Sequence, residues 1–321
     1  MFKRILVPLD GSSQAERALP LAAHLAKSAH AAIILVRALN LMYETGTYMV
    51  HVANTYITNE EALSEAMGIR KYLNGVRRSA LLSDIEVKTD APFGLAADCI
   101  LDTIKDERAD LVVMNSHGYT GLKRWTLGSV AHKIARHSSV PVLILREESR
   151  QKVALDERAG KRVGALVALD GSAFAEASVI PAAQLVAALS APSTGALHLV
   201  RVLKVPSPEV MMEYQRANID ANLEECANEE AKKYLSDVVA RFAKDCAQLG
   251  VEVTWSVRRG RDVADTLVNV TELDSGAGPY DLIAMTTHGL GGLQRWIVGS
   301  VTEHVLTGTR VPVLVVRSKT S

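Results

Sequence analysis

Cysteine and aromatic residues are scarce in this sequence, and a net charge is absent. The 321 residues include three cysteines without CxxC or metal-ligand spacing, which excludes a disulfide framework and a cysteine-based zinc site. This cysteine pattern predicts a reducing compartment. Basic and acidic residues number 36 each, so no overall field attracts nucleic acid or an acidic membrane as the main partner.

Long apolar runs are missing as well. No run approaches the roughly 20 residues that a membrane-spanning helix needs, and the start MFKRILVPLDGSS has too short an apolar segment for a signal peptide. Hydrophobic residues nevertheless make up 48% of the chain, which is enough to build buried cores. We therefore expect a soluble, cytoplasmic protein that binds neither nucleic acid nor a membrane.

The main positive feature of the sequence is an internal duplication. ILVPLDGS (5–12) returns as ALVALDGS (165–172), ADLVVMNSHG (109–118) as YDLIAMTTHG (280–289), and SVPVLILR (139–146) as RVPVLVVR (310–317). Blocks that recur in the same order indicate a tandem repeat. The predicted domains are 1–147 and 161–321, joined by a linker at 148–160. The second copy has an insert at about 204–230, which is a lid, a partner helix or a simple extension.

Strands and helices alternate within each copy. KRILVPL and AAIILVRAL are apolar runs typical of buried strands, and a capping box of Ser13 and Glu16 precedes a helical pattern. A longer helix is predicted at about 58–82. This alternation predicts two tandem doubly wound α/β sheets, parallel and covered on both faces. Ligands bind such sheets beyond the carboxyl ends of the strands, where PLDGS, RAL and NSHG converge.

A glycine-punctuated segment follows the same strand in both copies: SHGYTGLKRWTLGS at 116–129 and THGLGGLQRWIVGS at 287–300. Glycine lets backbone N–H groups approach a ligand, and a helix N-terminus favours phosphate. A serine hydroxyl at that helix start would complete a phosphate cradle. In the alternative interpretation, the glycines are ordinary turn residues and the serines are N-caps. Ser300 with Glu303 matches a capping box.

The chain contains neither a Walker A loop nor a G-x-G-x-x-G fingerprint. Asp10 and Asp170 follow the first strand of each copy, where an aspartate either binds a ribose hydroxyl or caps the next helix. His117 and His288 have no nucleophile or carboxylate beside them at a catalytic spacing, so we predict turn residues rather than acids or bases. No catalytic residue and no metal ligand is predicted.

These residues resemble the universal stress protein family over nearly the whole chain. The ATP-binding motif of that family is Gly, two residues, Gly, nine residues, then Gly-Ser or Gly-Thr, and both copies keep the second glycine, the gap and Gly-Ser. The resemblance implies a five-stranded parallel sheet per domain, Rossmann-like and similar to the adenine nucleotide alpha hydrolases. It also implies ATP, with Mg²⁺ accompanying the phosphates. Because domains of the family pair through their last strands, we expect the two copies to pair antiparallel within one chain, and two such chains to associate as a dimer.

The resemblance also implies the binding residues. Adenine and ribose fall to Leu9, Asp10 and Ala38 in the first copy and to Leu169, Asp170 and Val202 in the second. The phosphates fall to Gly118, Gly128, Ser129 and Val130, and to Gly289, Gly299, Ser300 and Val301. His117 and His288 belong to the same motif.

Asn115 and Thr286 stand where the family has its first glycine. A side chain there that points toward the nucleotide would block or reshape the site, whereas one that points away would cost little. Threonine must keep φ negative and asparagine need not, so the local backbone, and with it ATP occupancy, can differ between the copies.

The function expected from the sequence is regulatory ATP binding in a stress response, with at most slow hydrolysis, because no residue of the motif is an evident base. The alternative is a tandem scaffold that has lost nucleotide binding in one or both domains. An ATP-consuming ligase or transferase is disfavoured, since neither SGGxDS nor HIGH/KMSKS occurs.

Overall fold

The structure, a computed structural model, describes most of the chain. The described residues are 1–39, 60–116, 127–146, 161–207, 209–210, 212, 222–273, 280–287 and 299–317. The predicted linker at 148–160 lies outside them, as does part of the predicted insert, at 213–221.

Each copy contributes five strands and five helices to the described part of the chain. The strands are β1 (Arg4–Pro8), β2 (Ala32–Val36), β3 (Val87–Asp90), β4 (Leu111–Asn115), β5 (Val142–Leu145), β6 (Gly164–Leu169), β7 (Gly195–Lys204), β8 (Val251–Gly260), β9 (Leu282–Thr286) and β10 (Val313–Val316). The helices are α1 (Ser13–Glu16), α2 (Ala18–Ala29), α3 (Glu60–Arg77), α4 (Ala96–Asp106), α5 (Ser129–His137), α6 (Ala173–Glu176), α7 (Val179–Ser190), α8 (Asn222–Gln248), α9 (Val263–Leu273) and α10 (Ser300–Gly308).

The ten strands form one sheet in the order β3-β2-β1-β4-β5-β10-β9-β6-β7-β8. All pairs within a copy are parallel, which confirms the α/β class expected from the apolar strands. The strand order reverses between β1 and β4, and again between β6 and β9. These two reversals are the switch points at which doubly wound sheets bind ligands.

The two copies join through their last strands. β5 and β10 run antiparallel, with Leu143 opposite Leu314 and Val142 opposite Val315. The two five-stranded sheets are therefore one continuous sheet of ten strands, and neither last strand is left as an apolar edge.

Two apolar cores cover the two faces of this sheet, and both extend across the copies. One core contains residues of α2 and α7 together with Leu143 and Leu314. The other contains Ile134 of α5 and Val305 of α10. Burial of branched side chains such as these contributes roughly 1.5–3 kcal/mol each, so packing across the copies is a major part of the folding energy.

Among the described residues, one stretch, 173–190, has the length and apolar composition of a membrane-spanning segment, contrary to the expectation from the sequence. The stretch comprises α6 and α7, and 67% of it is buried inside the protein. Val179, Ala182 and Val186 of this stretch are fully buried in the core. It is a core segment of this fold.

Two local predictions need correction. The first helix is capped by Ser12, whose hydroxyl accepts the Ala15 N–H at 3.1 Å, so the predicted capping box of Ser13 and Glu16 is wrong. The long helix predicted at about 58–82 ends at Arg77 and is followed by a short 3₁₀ turn at Ala80–Leu82. In the second copy, the end of the predicted insert, from Asn222 onward, belongs to α8.

Candidate functional site

An aspartate–glycine–serine turn leaves the first strand of each copy at the carboxyl edge of the sheet. The Oδ1 atom of Asp10 accepts both the backbone N–H of Ser12, at 2.9 Å, and its hydroxyl, at 2.6 Å. Asp170 and Ser172 repeat these two bonds at the same distances. The aspartate orients the serine, and the serine caps the helix, so the aspartate itself is not the N-cap.

The glycine of this turn is required by its backbone conformation. Gly11 has φ +88° and Gly171 has φ +97°, a region that other residues rarely adopt. The space above each glycine holds a guanidinium group. A Cβ atom on Gly11 would lie 2.9 Å from Cζ of Arg37, and one on Gly171 would lie 3.1 Å from Cζ of Arg201.

Each of these arginines also lies over a tyrosine of the long helix. Arg37 Cζ is 5.0 Å from the centroid of the Tyr72 ring, and Arg201 Cζ is 5.4 Å from that of Tyr234. Such cation–π contacts contribute about 0.5–2 kcal/mol. They attach α3 and α8 to the carboxyl edge of the sheet in their own copies.

A glutamate of the short first helix completes each cluster. The Tyr72 hydroxyl donates to Glu16 at 2.7 Å, and burial together with this carboxylate raises the pKa of Tyr72. Burial and the Glu176 carboxylate likewise raise the pKa of Tyr234. Glu176 also forms an ion pair with Arg241 at 2.7 Å. Arg259 with Glu224, at 3.0 Å, and Arg201 with Glu230, at 3.9 Å, are two further ion pairs that anchor α8 in the second copy.

In both copies, the N-cap of the helix that follows the glycine-punctuated segment is a glycine, which has no side chain to accept the first N–H groups. Gly128 and Gly299 are the N-caps of α5 and α10, and neither helix has a side-chain cap. Ser129 and Ser300 are the first helical residues and are exposed, so the N-cap reading of these serines, and the capping box of Ser300, are wrong. The first-turn N–H groups have no partner within the helix, which leaves donors for an anion.

The backbone of the two caps is ordinary. Gly128 has φ −59° and Gly299 has φ −60°, values that any residue can adopt. At Gly299, space is the constraint, since a Cβ would lie 3.3 Å from the Thr287 carbonyl oxygen. Both caps are held against the strand end, because Gly128 N–H donates to Ser116 at 2.9 Å and Gly299 N–H to Thr287 at 2.8 Å.

Asn115 and Thr286 are the last residues of β4 and β9, and both are buried. Asn115 Nδ2 donates to the Gln14 carbonyl of α1 at 2.9 Å, and its Oδ1 accepts the Ser116 N–H. The amide is thus committed to bonds within the protein. The Thr286 carbonyl accepts the Thr302 hydroxyl of α10 at 2.9 Å.

Both residues have negative φ at equivalent strand ends, so the backbone difference anticipated between the copies is not found. The Asn115 bond to α1 also brings the aspartate–glycine–serine turn beside the end of β4 in the first copy. In the second copy β6 pairs with β9, which brings the corresponding elements together.

The remaining implied residues fall into three groups. Leu9 and Leu169 are buried, so their backbone alone is available to a ligand. Ala38 lies just beyond β2, whereas Val202 lies inside the longer β7 and pairs with Arg258 of β8. Val130 and Val301 are in the first helical turns, half-buried. His117, Gly118, His288 and Gly289 lie outside the described residues.

Sequence reasoning missed Arg37 and Arg201. A signal was present, because LVRAL at 35–39 recurs as LVRVL at 199–203 with the arginine kept. Tyr72 and Tyr234 carried the same kind of signal, because KYL at 71–73 recurs at 233–235, but each tyrosine lies far along the chain from its arginine and contacts it only in the folded protein.

A family model described as "Universal stress protein family" matches residues 1–146 and 165–317. The universal stress protein YxiE of Bacillus subtilis is 33% identical over 149 residues, which is 46% of this chain and 100% of that protein. The universal stress protein MJ0531 of Methanocaldococcus jannaschii is 26% identical over 151 residues, 47% of this chain and 86% of that protein. Each of these relatives aligns with about half of the chain.

Two solved structures that match nearly the whole chain have the same fold. A universal stress protein from Archaeoglobus fulgidus covers 98% of this chain and 98% of its own, at 20% identity and a TM-score of 0.64. A putative universal stress protein from Pseudomonas aeruginosa covers 99% of this chain and 94% of its own, at 17% identity and a TM-score of 0.56. The chain therefore belongs to the universal stress protein family, with two domains of that family in tandem.

Proposed function

We propose that the chain binds ATP at the carboxyl edge of one or both domains and acts as a regulatory nucleotide-binding protein in a stress response. The observation that supports this most is the pair of glycine-capped helices, α5 and α10. Each presents unpaired first-turn amides and an exposed serine beside the strand end at the switch point.

The placement of Asn115, which stands where the family has its first glycine, supports ATP binding in the first copy. The Asn115 amide is bonded to α1 and to its own strand end, so it does not compete with a ligand for the cradle. Asp10 lies in the turn that follows the adjacent strand, with one carboxylate oxygen fixed by Ser12, and its proposed role is to bind the ribose. When ATP is bound, Mg²⁺ would come with its phosphates.

We infer further that the protein is cytoplasmic, that two chains associate, and that ATP is hydrolysed slowly at most. Beside the glycine caps, His132 of α5 and Glu303 of α10 lie 3.9 Å from each other, and neither belongs to the ATP-binding motif.

The test is the nucleotide content of the purified chain. Heat-denatured protein should release ATP, and added ATP should raise the melting temperature. Ser129→Ala and Ser300→Ala keep the glycine caps and should weaken binding of the triphosphate more than that of adenosine, because only the phosphate contact is lost. Gly128→Val and Gly299→Val should abolish binding in their own copies.

Gly75→Ala in the exposed part of α3 is the matched control, because a Cβ there meets nothing within 4 Å. Absence of both copurified ATP and a thermal shift would reject nucleotide binding and favour the tandem scaffold. Steady hydrolysis well above background would favour an enzyme instead.

A further inference from the structure

A cavity lies at the opposite, amino-terminal edge of the first copy, below β1, β2 and β3. Its volume is about 460 Å³, within the roughly 300–1,000 Å³ typical of small-molecule sites. Four cationic side chains and two carboxylates line it. The cations are Lys3, Arg4, Lys88 and Arg108, and the carboxylates are Glu86 and Asp110.

The two carboxylates offset only part of the charge of this lining, since two negative groups face four positive ones. Asp110 is occupied by the backbone, because its two oxygens accept the N–H groups of Lys3 at 2.7 Å and of Arg4 at 3.0 Å. Lys88 is paired with Glu107 at 2.9 Å, an exposed pair of small energetic value. Within the described part of the chain, the side chains of Lys3, Arg4 and Arg108 have no carboxylate within ion-pair distance.

The second copy shows that the fold does not need these cations. The strand pairings align Lys3 with Val163, Arg4 with Gly164 and Lys88 with Thr254. The counterpart of Arg108 lies outside the described residues.

Both carboxylates are kept in the second copy. Asp110 corresponds to Asp281, which binds the Gly164 N–H at 2.8 Å in the same way, and Glu86 corresponds to Glu252. The aspartate is therefore a structural clamp in both copies, whereas the cations belong to the first copy alone.

The second copy also fills the space that the first copy leaves open. His198 stands in place of Ile34, and its ring bonds to Thr254 at 2.8 Å and to Ser256 at 2.7 Å. The ring of Tyr280, in place of Ala109, packs against His198 with centroids 5.5 Å apart. One amino edge is thus filled and lacks the cation cluster, and the other is open and cationic.

His30 and Arg108, both with φ +52°, are the two non-glycine residues of the described chain with positive φ, and both line the cavity. His30 is the left-handed C-cap of α2 and Arg108 directly follows the C-cap of α4, so this conformation belongs to the two helix ends that border the cavity.

We propose that this cationic cavity binds a small anion carrying two or more phosphate or carboxylate groups. Arginine binds both groups through paired N–H donors, and a ligand that contacts several cations at once relieves their mutual repulsion. The proposal is independent of nucleotide binding at the carboxyl edge.

The test is calorimetric titration of the full chain with pyrophosphate and, separately, with citrate. Because pyrophosphate could also enter the glycine-capped cradle, the titration is repeated with Gly128→Val and Gly299→Val. We expect saturable binding that survives these changes and that weakens about tenfold or more in Arg4→Gln with Arg108→Gln. The stronger of the two probes identifies the phosphate or carboxylate class.

Arg162→Gln is the matched control, because Arg162 is an exposed cation at the amino edge of the second copy, 2.6 Å from Glu252. Arg162→Gln should leave the affinity for the anion unchanged. The variant with Arg4→Gln and Arg108→Gln should bind ATP as the unchanged protein does. Lys88→Thr, which copies the second domain, should weaken binding without a loss of melting temperature. Absence of saturable binding, equal weakening by Arg162→Gln, or loss of binding in the glycine variants would each overturn the proposal.

Discussion

Single residues at the carboxyl edge combine backbone constraint with charge. Gly11 and Gly171 are required twice over, once by positive φ and once by the guanidinium above them. The arginine could not occupy that place over a residue with a side chain. Glycine and arginine therefore form one local unit in each copy, although 26 and 30 sequence positions separate them.

Replacing either turn glycine by alanine should destabilise the protein by about 1–2 kcal/mol, because the new methyl is strained by φ and contacts the guanidinium. Gly75→Ala, in an open helical position, should instead stabilise by up to about 1 kcal/mol. Urea denaturation measures both. Equal effects of the two substitutions would contradict the argument.

The three cysteines should differ in reactivity. Cys226 is exposed, whereas Cys99 and Cys246 are buried, and burial raises the pKa of both buried thiols. Because the thiolate is the reacting form, iodoacetamide at neutral pH should label Cys226 first. Peptide mass spectrometry over time would check the order, and early labelling of Cys246 would contradict the packing of α8.

At the scale of elements, the strands and the binding edge were predictable, and the contacts between distant elements were not. Apolar runs such as ILVP and LVVM predict buried strands because both faces of the sheet are covered. The duplicated Gly-Ser predicts the helix starts at Gly128 and Gly299.

Side-chain pairing across elements has no such local pattern. The sequence does not show that Ser12, rather than Ser13, accepts the Ala15 amide. Nor does it show that Tyr72 meets Arg37, or that the cations of the amino-edge cavity gather from β1, β3 and the end of α4. These contacts depend on how the helices pack on the sheet in the folded protein.

The end of α5 should make stability depend on pH. Burial, followed by the charges of Arg136, Arg317 and Lys133, lowers the pKa of His137 from its usual value near 6.5. The unfolded chain then binds this proton at a higher pH than the folded one does. The contribution of His137 to the free energy of unfolding is therefore fully present above about pH 6.5. It is lost as the pH falls through the lowered pKa that His137 has in the folded state.

His137→Gln should flatten that part of the pH profile of the melting temperature while leaving the profile above pH 7 unchanged. His24→Gln is a control, since His24 lies on α2 away from these arginines. A profile that keeps its full slope in His137→Gln would contradict the assignment.

At the scale of the whole molecule, the two copies share one sheet and two cores. Symmetric hydrogen bonds support the junction, because Arg146 donates to the Thr307 carbonyl at 3.2 Å and Arg317 to the His137 carbonyl at 3.4 Å. Each last strand thus reaches the final turn of the last helix of the other copy. Cations at helix C-termini are favourable there.

Leu143→Ala at this junction should cost about 2–5 kcal/mol, since Leu143 is almost fully buried opposite Leu314. We expect the loss to shift a single unfolding transition of the whole chain. Hydrogen exchange of β1 and β6 amides in urea would report the two copies separately. Earlier exchange of β1 with β6 still protected would show that the copies unfold independently.

The pairing of β5 with β10 occurs within one polypeptide, so dilution cannot separate the two halves. Two separate subunits with the same edges would also form pairs of like halves, in proportions set by their concentrations. The tandem chain always joins one half of each kind. Its halves can therefore diverge, as the open cationic amino edge and the filled amino edge have done, while every molecule keeps one of each.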